Sequence, residues 1–381
     1  MNGIELKGRR ILFVANTSWY LSNFVGHVIA SVVDRGGEVY AISERDNFTE
    51  KLEAIGCKCT TTRFYSRGKN PIQDLMLTLK LRSLYRQIKP DCVLQFTMKP
   101  NIYGAIASIG MDFDLACTVS GIGSVLNFGP ILRRLVTFLY SIAFNRSRTA
   151  IFLNEEDRTF FINRTIVNDG KAILIPGAGI DSDWFQPRID NGIRRTNEDI
   201  VFLLFGRLLW EKGINEYLQA AKIVKARHSN LSFRILGFPV TNEKFGLTEK
   251  YLRRGLDRKV VDYLGWTGDV RDFLSDADCI VLPTRYGEGL PRSLLEAASM
   301  ERPIIASDHV GCREVVEHGV NGFLFRTADT SDLVSKIEDM ISLGAEGRRE
   351  MGKKGRELVL NKFDANIVLV EYLSVIENLL R

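Results

Sequence analysis

Residues 278–299 read DCIVLPTRYGEGLPRSLLEAAS. Asp278–Pro283 centres on an unbroken apolar run, which suits a parallel strand buried on both faces. A loop with Gly287 and Gly289 follows, and glycine permits the tight turn needed there. Ser293–Met300 then repeats apolar residues at helical spacing. Ser293, or the loop before it, is placed to cap that helix. Strand, glycine-bearing loop and helix in this order form part of a β-α-β unit. The loop amides and the helix N-terminus together suit an anion or a polar ligand.

The alternation extends in both directions. Before this stretch, strands are expected at Ile200–Gly206, Ser232–Gly237 and Val260–Gly265, and after it at Pro303–Ser307 and Gly322–Phe325. Helices fit at Gly213–Ala226, Val270–Ser275, Cys312–His318 and Asp329–Leu343. An earlier series has strands at Arg10–Ala15, Glu38–Ser43, Asp91–Phe96, Leu115–Ser120 and Thr149–Asn154, with helices such as Asn23–Arg35 and Pro71–Ile88 between them. Pro187–Asp199 is polar and aperiodic and reads as a linker. The expected organisation is α/β, with two doubly wound domains. The first spans 1–186, the linker 187–199 and the second 200–360; a final amphipathic helix within 361–381 could cross back to the first domain. A cleft between such domains, at the carboxyl ends of the strands, is the expected ligand site.

Composition agrees with a folded chain. Of 381 residues, 45% are hydrophobic and 25% charged, which excludes a disordered protein. No apolar run reaches the roughly 20 residues that span a bilayer. The first ten residues carry Glu5, Lys7, Arg9 and Arg10, so no secretory signal is expected. The six cysteines include no C-x-x-C pair and read as idle thiols in a reducing cytosol. The four histidines are scattered and no acidic cluster has metal-ligand spacing, so no metal is expected. Neither G-x-G-x-x-G nor a P-loop occurs, and no cofactor is expected.

Residues 1–180 hold 22 Lys and Arg against 15 Asp and Glu, whereas 181–381 hold 29 against 31. Charge alone fits an anionic partner, nucleic acid or membrane, or none. Ile131–Phe144 is apolar with Arg133, Arg134, Arg146 and Arg148 around it. It is too short to span a membrane, but it could lie along an anionic surface or form a buried helix. This turns the reading toward a membrane and away from nucleic acid.

Glu288 lies in the loop after the quoted strand. Glu296 lies eight residues on, about two helical turns, among Leu294, Leu295, Ala297 and Ala298. A carboxylate on so apolar a stretch needs a partner. It can accept hydrogen bonds from two hydroxyls, which suits a ribose or another sugar. Arg207 and Lys212 lie between the strand Ile200–Gly206 and the next helix, where an arginine fork and a lysine point charge can clamp a diphosphate.

The Arg207/Lys212 loop, the Glu288-x7-Glu296 motif and the two-domain layout together resemble family 4 of the retaining GT-B glycosyltransferases. The resemblance covers nearly the whole chain. It implies that Arg207 and Lys212 bind the donor diphosphate, that Glu296 holds the nucleotide ribose and that Glu288 meets the transferred sugar. It further implies that Gly287, Gly289, Leu290 and Pro291 lend backbone amides. The segments Asn16-Thr17-Ser18, Thr97-Met98-Lys99-Pro100-Asn101 and Ser120-Gly121-Ile122-Gly123 look like the subgroup that builds bacterial surface polysaccharides and lipid-linked oligosaccharides, and the runs Leu208–Gly213 and Ser307–Cys312 are similar to N-acetylgalactosaminyltransferases acting on polyprenyl diphosphate-linked sugars. Asn16, Thr17, Ser18, Lys99, Asn101, Gly121 and Gly123 are thus the substrate-binding candidates of the first domain. Many members carry a histidine after the fourth strand, where this chain reads Gln95-Phe96-Thr97-Met98-Lys99; Lys99 or Asn101 is the candidate substitute. The implied donor is a UDP-sugar, UDP-N-acetylgalactosamine first among UDP-N-acetylhexosamines. The implied acceptor is a lipid-linked sugar at the inner face of the cytoplasmic membrane. A GT-B epimerase acting on UDP-sugar alone and a non-catalytic sugar-nucleotide-binding partner are the rival readings.

Overall fold

The computed structural model of the chain describes residues 5–65, 70–121, 129–187, 199–242, 244–254, 256–285 and 289–381. They form two compact units. One runs to Gly179 and takes in Ala365–Arg381; the other is Ile180–Asp364.

The first unit is a seven-stranded parallel sheet. Its strands are β1 (Arg10–Thr17), β2 (Glu38–Glu44), β3 (Lys58–Thr61), β4 (Cys92–Phe96), β5 (Asp114–Val119), β6 (Thr149–Phe152) and β7 (Ala172–Leu174), in the order β3-β2-β1-β4-β5-β6-β7. Successive side chains on the central strands point to opposite faces, so both faces need a cover. Leu12, Val14, Val93 and Leu115 pack with Leu81 and Tyr85 of helix Pro71–Ile88 and with Val136 and Tyr140 of helix Pro130–Arg146. Ile11, Phe13, Leu94 and Ala116 pack on the other face with Val28 of helix Gly26–Asp34 and Tyr372 of helix Ala365–Leu380. The last helix is therefore part of the first unit's core.

The second unit repeats the design with six parallel strands. They are β8 (Ile200–Phe205), β9 (Leu231–Leu236), β10 (Asp262–Tyr263), β11 (Cys279–Leu282), β12 (Ile304–Ser307) and β13 (Gly322–Phe325), in the order β10-β9-β8-β11-β12-β13.

Several details differ from the sequence reading. The chain enters the second unit at Ile180, not after 186, because Ile180 and Phe185 are buried in that unit's core and the Ile180 amide donates to the Phe363 carbonyl (2.8 Å). That unit ends at Asp364, not 360. The edge strands β3 and β7 were not expected: they are short and only part-buried, so they lack the apolar run that marks the inner strands. Asn23–Arg35 is not one helix. Ser18–Phe24 and Gly26–Asp34 are separate helices that meet at Val25. The glycine-rich segment Gly344–Leu358 is helical although no helix was expected there. A side chain at Gly352 would overlap the Glu301 carbonyl, so that helix is held by close approach.

The run Ile131–Phe144 falls within helix Pro130–Arg146 and is divided between core and solvent. Val136, Tyr140, Ala143 and Phe144 are buried, while Ile131, Leu135 and Phe138 are exposed. The expectation of four arginines facing headgroups is corrected. Arg146 donates to the carbonyls of Met111 (3.3 Å) and Phe113 (2.7 Å), and Arg148 to Asp114 (2.6 Å). Arg133 and Arg134 remain exposed. No helix among the described residues is long and apolar enough to cross a membrane. All six cysteines are free thiols, five of them buried.

Candidate active site

In the second sheet β8 and β11 are neighbours, yet the chain leaves them toward opposite sides of the sheet. Ligands bind at such switch points, beyond the carboxyl ends of the strands. The loops after β8 and β11 carry Arg207, Lys212 and Gly289, and the helix that follows the second loop carries Glu296, so the topology gathers these candidates at one edge. Glu288 and Gly287 lie outside the described residues, as does Gly123.

Backbone bonds make the β8 loop rigid. Arg207 is followed by Leu208, whose amide donates to the Phe238 carbonyl (3.1 Å) and whose carbonyl accepts from the Leu247 amide (2.8 Å). Trp210 N–H donates to the Phe245 carbonyl (2.9 Å). The Arg207 side chain stands on this base, exposed and without a partner among the described residues. Lys212 ends the single turn Trp210–Lys212 and is half-buried. Gly213 then turns with φ 74°, and a Cβ there would overlap the Pro283 carbonyl. The Glu211 carbonyl accepts from the Arg285 amide (2.8 Å) and from Thr284 Oγ1 (3.4 Å). The two loops are thus stitched together.

The β11 loop leads into helix Arg292–Ser299. Pro291 is its N-cap and no side chain caps it, which corrects the expectation for Ser293. The Ser293 amide has no intrahelical acceptor and faces out of the helix start. Pro291 has no N–H to lend. Leu290 packs its side chain with Leu294 and Leu295 in the core, leaving its backbone for any ligand. Glu296 is 14% exposed, and its Oε1 accepts from Arg292 Nε one turn earlier (3.0 Å). Its Oε2 has no partner among the described residues. Burial raises the Glu296 pKa above the ordinary carboxylate value, and Arg292 pulls the other way. A mostly buried carboxyl with one open oxygen is suited to take a ligand hydroxyl.

Sequence reasoning missed two features of this edge. Glu216, in the first turn of helix Ile214–Lys225, is buried and ion-paired to Arg285. The partners are 69 positions apart in the chain, so no local pattern announces them. Phe238 and Trp266, after β9 and β10, lie with ring centroids 4.1 Å apart and are 50% and 55% exposed. An exposed aromatic pair offers a surface for stacking a planar ring.

In the first sheet the switch point lies between β1 and β4. The candidates of this unit cluster there, but most serve the fold. Ser18 is fully buried and bonded to Ser43 (2.7 Å) and Thr49 (2.8 Å). Thr17 Oγ1 accepts from the Tyr20 amide as a helix cap (3.2 Å). Lys99 is buried in an ion pair with Asp74 (2.6 Å), whose other oxygen accepts from Tyr103 Oη (2.8 Å). Asn101 is fully buried and donates Nδ2–H to the Thr118 carbonyl (2.8 Å). Lys99 cannot stand in for a histidine without breaking its ion pair, whereas Asn101 Oδ1 is buried without a partner among the described residues. Gly121 follows β5 with φ 122° and is half-buried. Asn16 Oδ1 and Thr97 Oγ1 at this switch point are, like Asn101 Oδ1, buried without partners among the described residues. Thr97 also has φ 69°, an outlier for a β-branched residue and a mark of local backbone strain. The sequence gives no hint of it, since the conformation is set by how β4 meets the following helix.

Comparisons with known proteins bear on the family and the fold. The family described as Glycosyl transferases group 1 matches residues 185–358, and that described as Glycosyl transferase 4-like matches residues 10–154. The chain is 26% identical to the N,N'-diacetylbacillosaminyl-diphospho-undecaprenol alpha-1,3-N-acetylgalactosaminyltransferase of Campylobacter jejuni, over 98% of this chain and 99% of that protein. It is 27% identical to the UDP-Gal:alpha-D-GlcNAc-diphosphoundecaprenol alpha-1,3-galactosyltransferase of Escherichia coli, over 71% of each. In structure it is similar to Anabaena HepE in complex with UDP, with a TM-score of 0.77, 19% identity and coverage of 97% and 100% of the two chains. A glycosyltransferase from Rickettsia africae gives a TM-score of 0.79 at 17% identity, covering 98% and 99%. With both units matched by such families and the fold shared along almost its whole length, the chain belongs to the group 1 and 4-like glycosyl transferases of GT-B fold.

Proposed function

We propose that this glycosyltransferase moves an N-acetylhexosamine, N-acetylgalactosamine first, from a UDP-sugar to a saccharide on polyprenyl diphosphate, with retention of anomeric configuration. The second unit binds the donor and the first the acceptor. The observation that carries the reading is the rigid edge of the second sheet: an exposed Arg207 on a pinned loop, stitched to the loop that leads to Glu296, whose Oε2 has no partner among the described residues. Arg207 and Lys212 take the negative charge that grows on the leaving diphosphate. Glu296 holds a ribose hydroxyl, and Glu288 meets the transferred sugar. Asn16 and Thr97 supply polar contacts on the acceptor side. The relatives from C. jejuni and E. coli, named for transfer to undecaprenyl diphosphate-linked sugars, support the acceptor class. Work at the inner face of the cytoplasmic membrane follows from such an acceptor.

Incubation with a panel of radiolabelled UDP-sugars and undecaprenyl diphosphate-linked monosaccharides tests this. Label is expected in the lipid fraction only when both substrates are present, with an α-linked product by NMR. Conversion between UDP-sugars without an acceptor would identify an epimerase. Tight UDP binding without any turnover would identify a non-catalytic partner.

A further inference from the structure

Helix Pro71–Ile88 carries an apolar stripe that its core does not use. Leu77, Leu81, Leu84, Tyr85 and Ile88 face inward, while Ile72, Leu75, Met76 and Leu79 are between 59 and 69% exposed. The spacing i, i+3, i+4, i+7 places these four on one face. Helix Pro130–Arg146 repeats the feature with Ile131, Leu135 and Phe138, between 51 and 86% exposed. Both helices cover the same face of the first sheet and pack on the same segment, Pro100–Ala107.

The two stripes also lie at the same edge of that face. At the C-terminal end of the first helix, the Ile88 carbonyl accepts from Arg10, where β1 begins (3.0 Å). Near its N-terminal end, Asp74 binds Lys99, just after β4 ends. In the second helix Arg146, at the C-terminus, reaches the Phe113 carbonyl, just before β5 begins. The N-terminal halves, with the stripes, therefore stand at the carboxyl edge of the sheet, the edge that holds Asn16 and Thr97. Arg133 and Arg134 flank one stripe, and Lys80 and Arg86 continue the face of the other. None of these four has an acidic partner among the described residues. Asp74, the one carboxylate between the stripes on these helices, is already held by Lys99 and Tyr103.

We infer that the two stripes form one docking surface for an anionic lipid bilayer. Apolar side chains of this kind enter the boundary between headgroups and acyl chains, while adjoining cations meet anionic headgroups. Convex helix faces with unpaired cations and no free carboxylate fit a negatively charged plane better than a second copy of the same cationic surface. The inference deepens the reading above by naming the surface that meets the membrane. Its test uses neither donor nor acceptor, so its failure leaves the transfer reading intact.

The experiment is sedimentation of the full chain with phosphatidylcholine vesicles, with and without about 30% phosphatidylglycerol. The wild type is expected to pellet with the anionic vesicles and to be released by salt. Ile72→Asp/Leu79→Asp and Leu135→Asp/Phe138→Asp should each lower the partition coefficient roughly ten-fold or more. Arg133→Ser/Arg134→Ser should remove the preference for phosphatidylglycerol. Val370→Asp is the control, an exposed residue on the helix covering the opposite sheet face. It should bind as the wild type does, and all variants should keep the wild-type melting midpoint, because the altered side chains are exposed. Wild type that stays in the supernatant overturns the proposal, as do stripe variants that pellet like it. So does a wild-type dimer, seen by ultracentrifugation, that the stripe substitutions dissociate while vesicle binding is unchanged.

Discussion

Arg207 is an exposed cation on a backbone fixed from both sides, so its removal should leave the fold alone and act on chemistry. Loss of a charge-assisted contact that strengthens as the diphosphate leaves costs about 10²–10³ in turnover. Arg207→Ala should show that loss in kcat, and Arg207→Lys should recover part of it, since an ammonium cannot form the bidentate fork. UDP should bind the alanine variant more weakly while uridine binds as before; an equal loss for uridine would point to a distorted site instead. Glu296 offers a pH test. Its raised pKa means that acidification neutralises it earlier than an ordinary carboxyl, and the neutral form is the poorer acceptor for a ribose hydroxyl. UDP affinity measured by calorimetry should therefore fall as pH is lowered through that pKa, and Glu296→Gln should lack this limb. The linked stability has the opposite sense. A carboxyl with a raised folded-state pKa favours the fold below its unfolded pKa, and that contribution is lost as pH rises through the folded value. Thr97 stores strain of about 1–3 kcal/mol in its left-handed conformation. Thr97→Gly should relieve it, raise the melting midpoint and weaken acceptor use. A destabilised Thr97→Gly would show that the conformation is not strained.

Between elements, the decisive joint is the one that stitches the β8 loop to the end of β11. Gly213 is required there twice, for its positive φ and for the space taken by the Pro283 carbonyl. Gly213→Ala should cost at least about 2 kcal/mol by denaturant unfolding, from backbone strain and overlap together. Turnover should fall as well, because Arg207 and Lys212 lose their register with the Glu296 helix. Stability lost without any change in kcat would separate the joint from the chemistry. The apolar run Ile131–Phe144 was legible as an element, but which of its residues face solvent was not. That depended on Val136, Tyr140 and Phe144 finding Phe152 and Phe161, and on Arg146 and Arg148 finding partners near β5.

For the whole molecule, the function proposed above assigns the charge on the leaving group to two side chains of the second unit, Arg207 and Lys212. Activity is accordingly expected to persist in excess EDTA; loss on chelation with recovery on adding Mg²⁺ or Mn²⁺ would assign that charge to an ion.

The sequence by itself determined the α/β class, most of the inner strands of both sheets, the loop that carries Arg207 and Lys212, and the helix that carries Glu296. These are local matters: a parallel strand buried on both faces must be apolar along its length, and the residues just past its end are read directly from the chain. The tertiary structure alone decided the edge strands β3 and β7, the membership of Ile180–Phe185 in the second unit, and the roles of individual side chains at the first switch point. Lys99 looked available until Asp74, 25 positions earlier, took it as a partner; Thr97 looked ordinary until β4 and its helix forced its backbone left-handed. Pairing, burial and strain depend on what is brought near from a distance, and no window of sequence contains that.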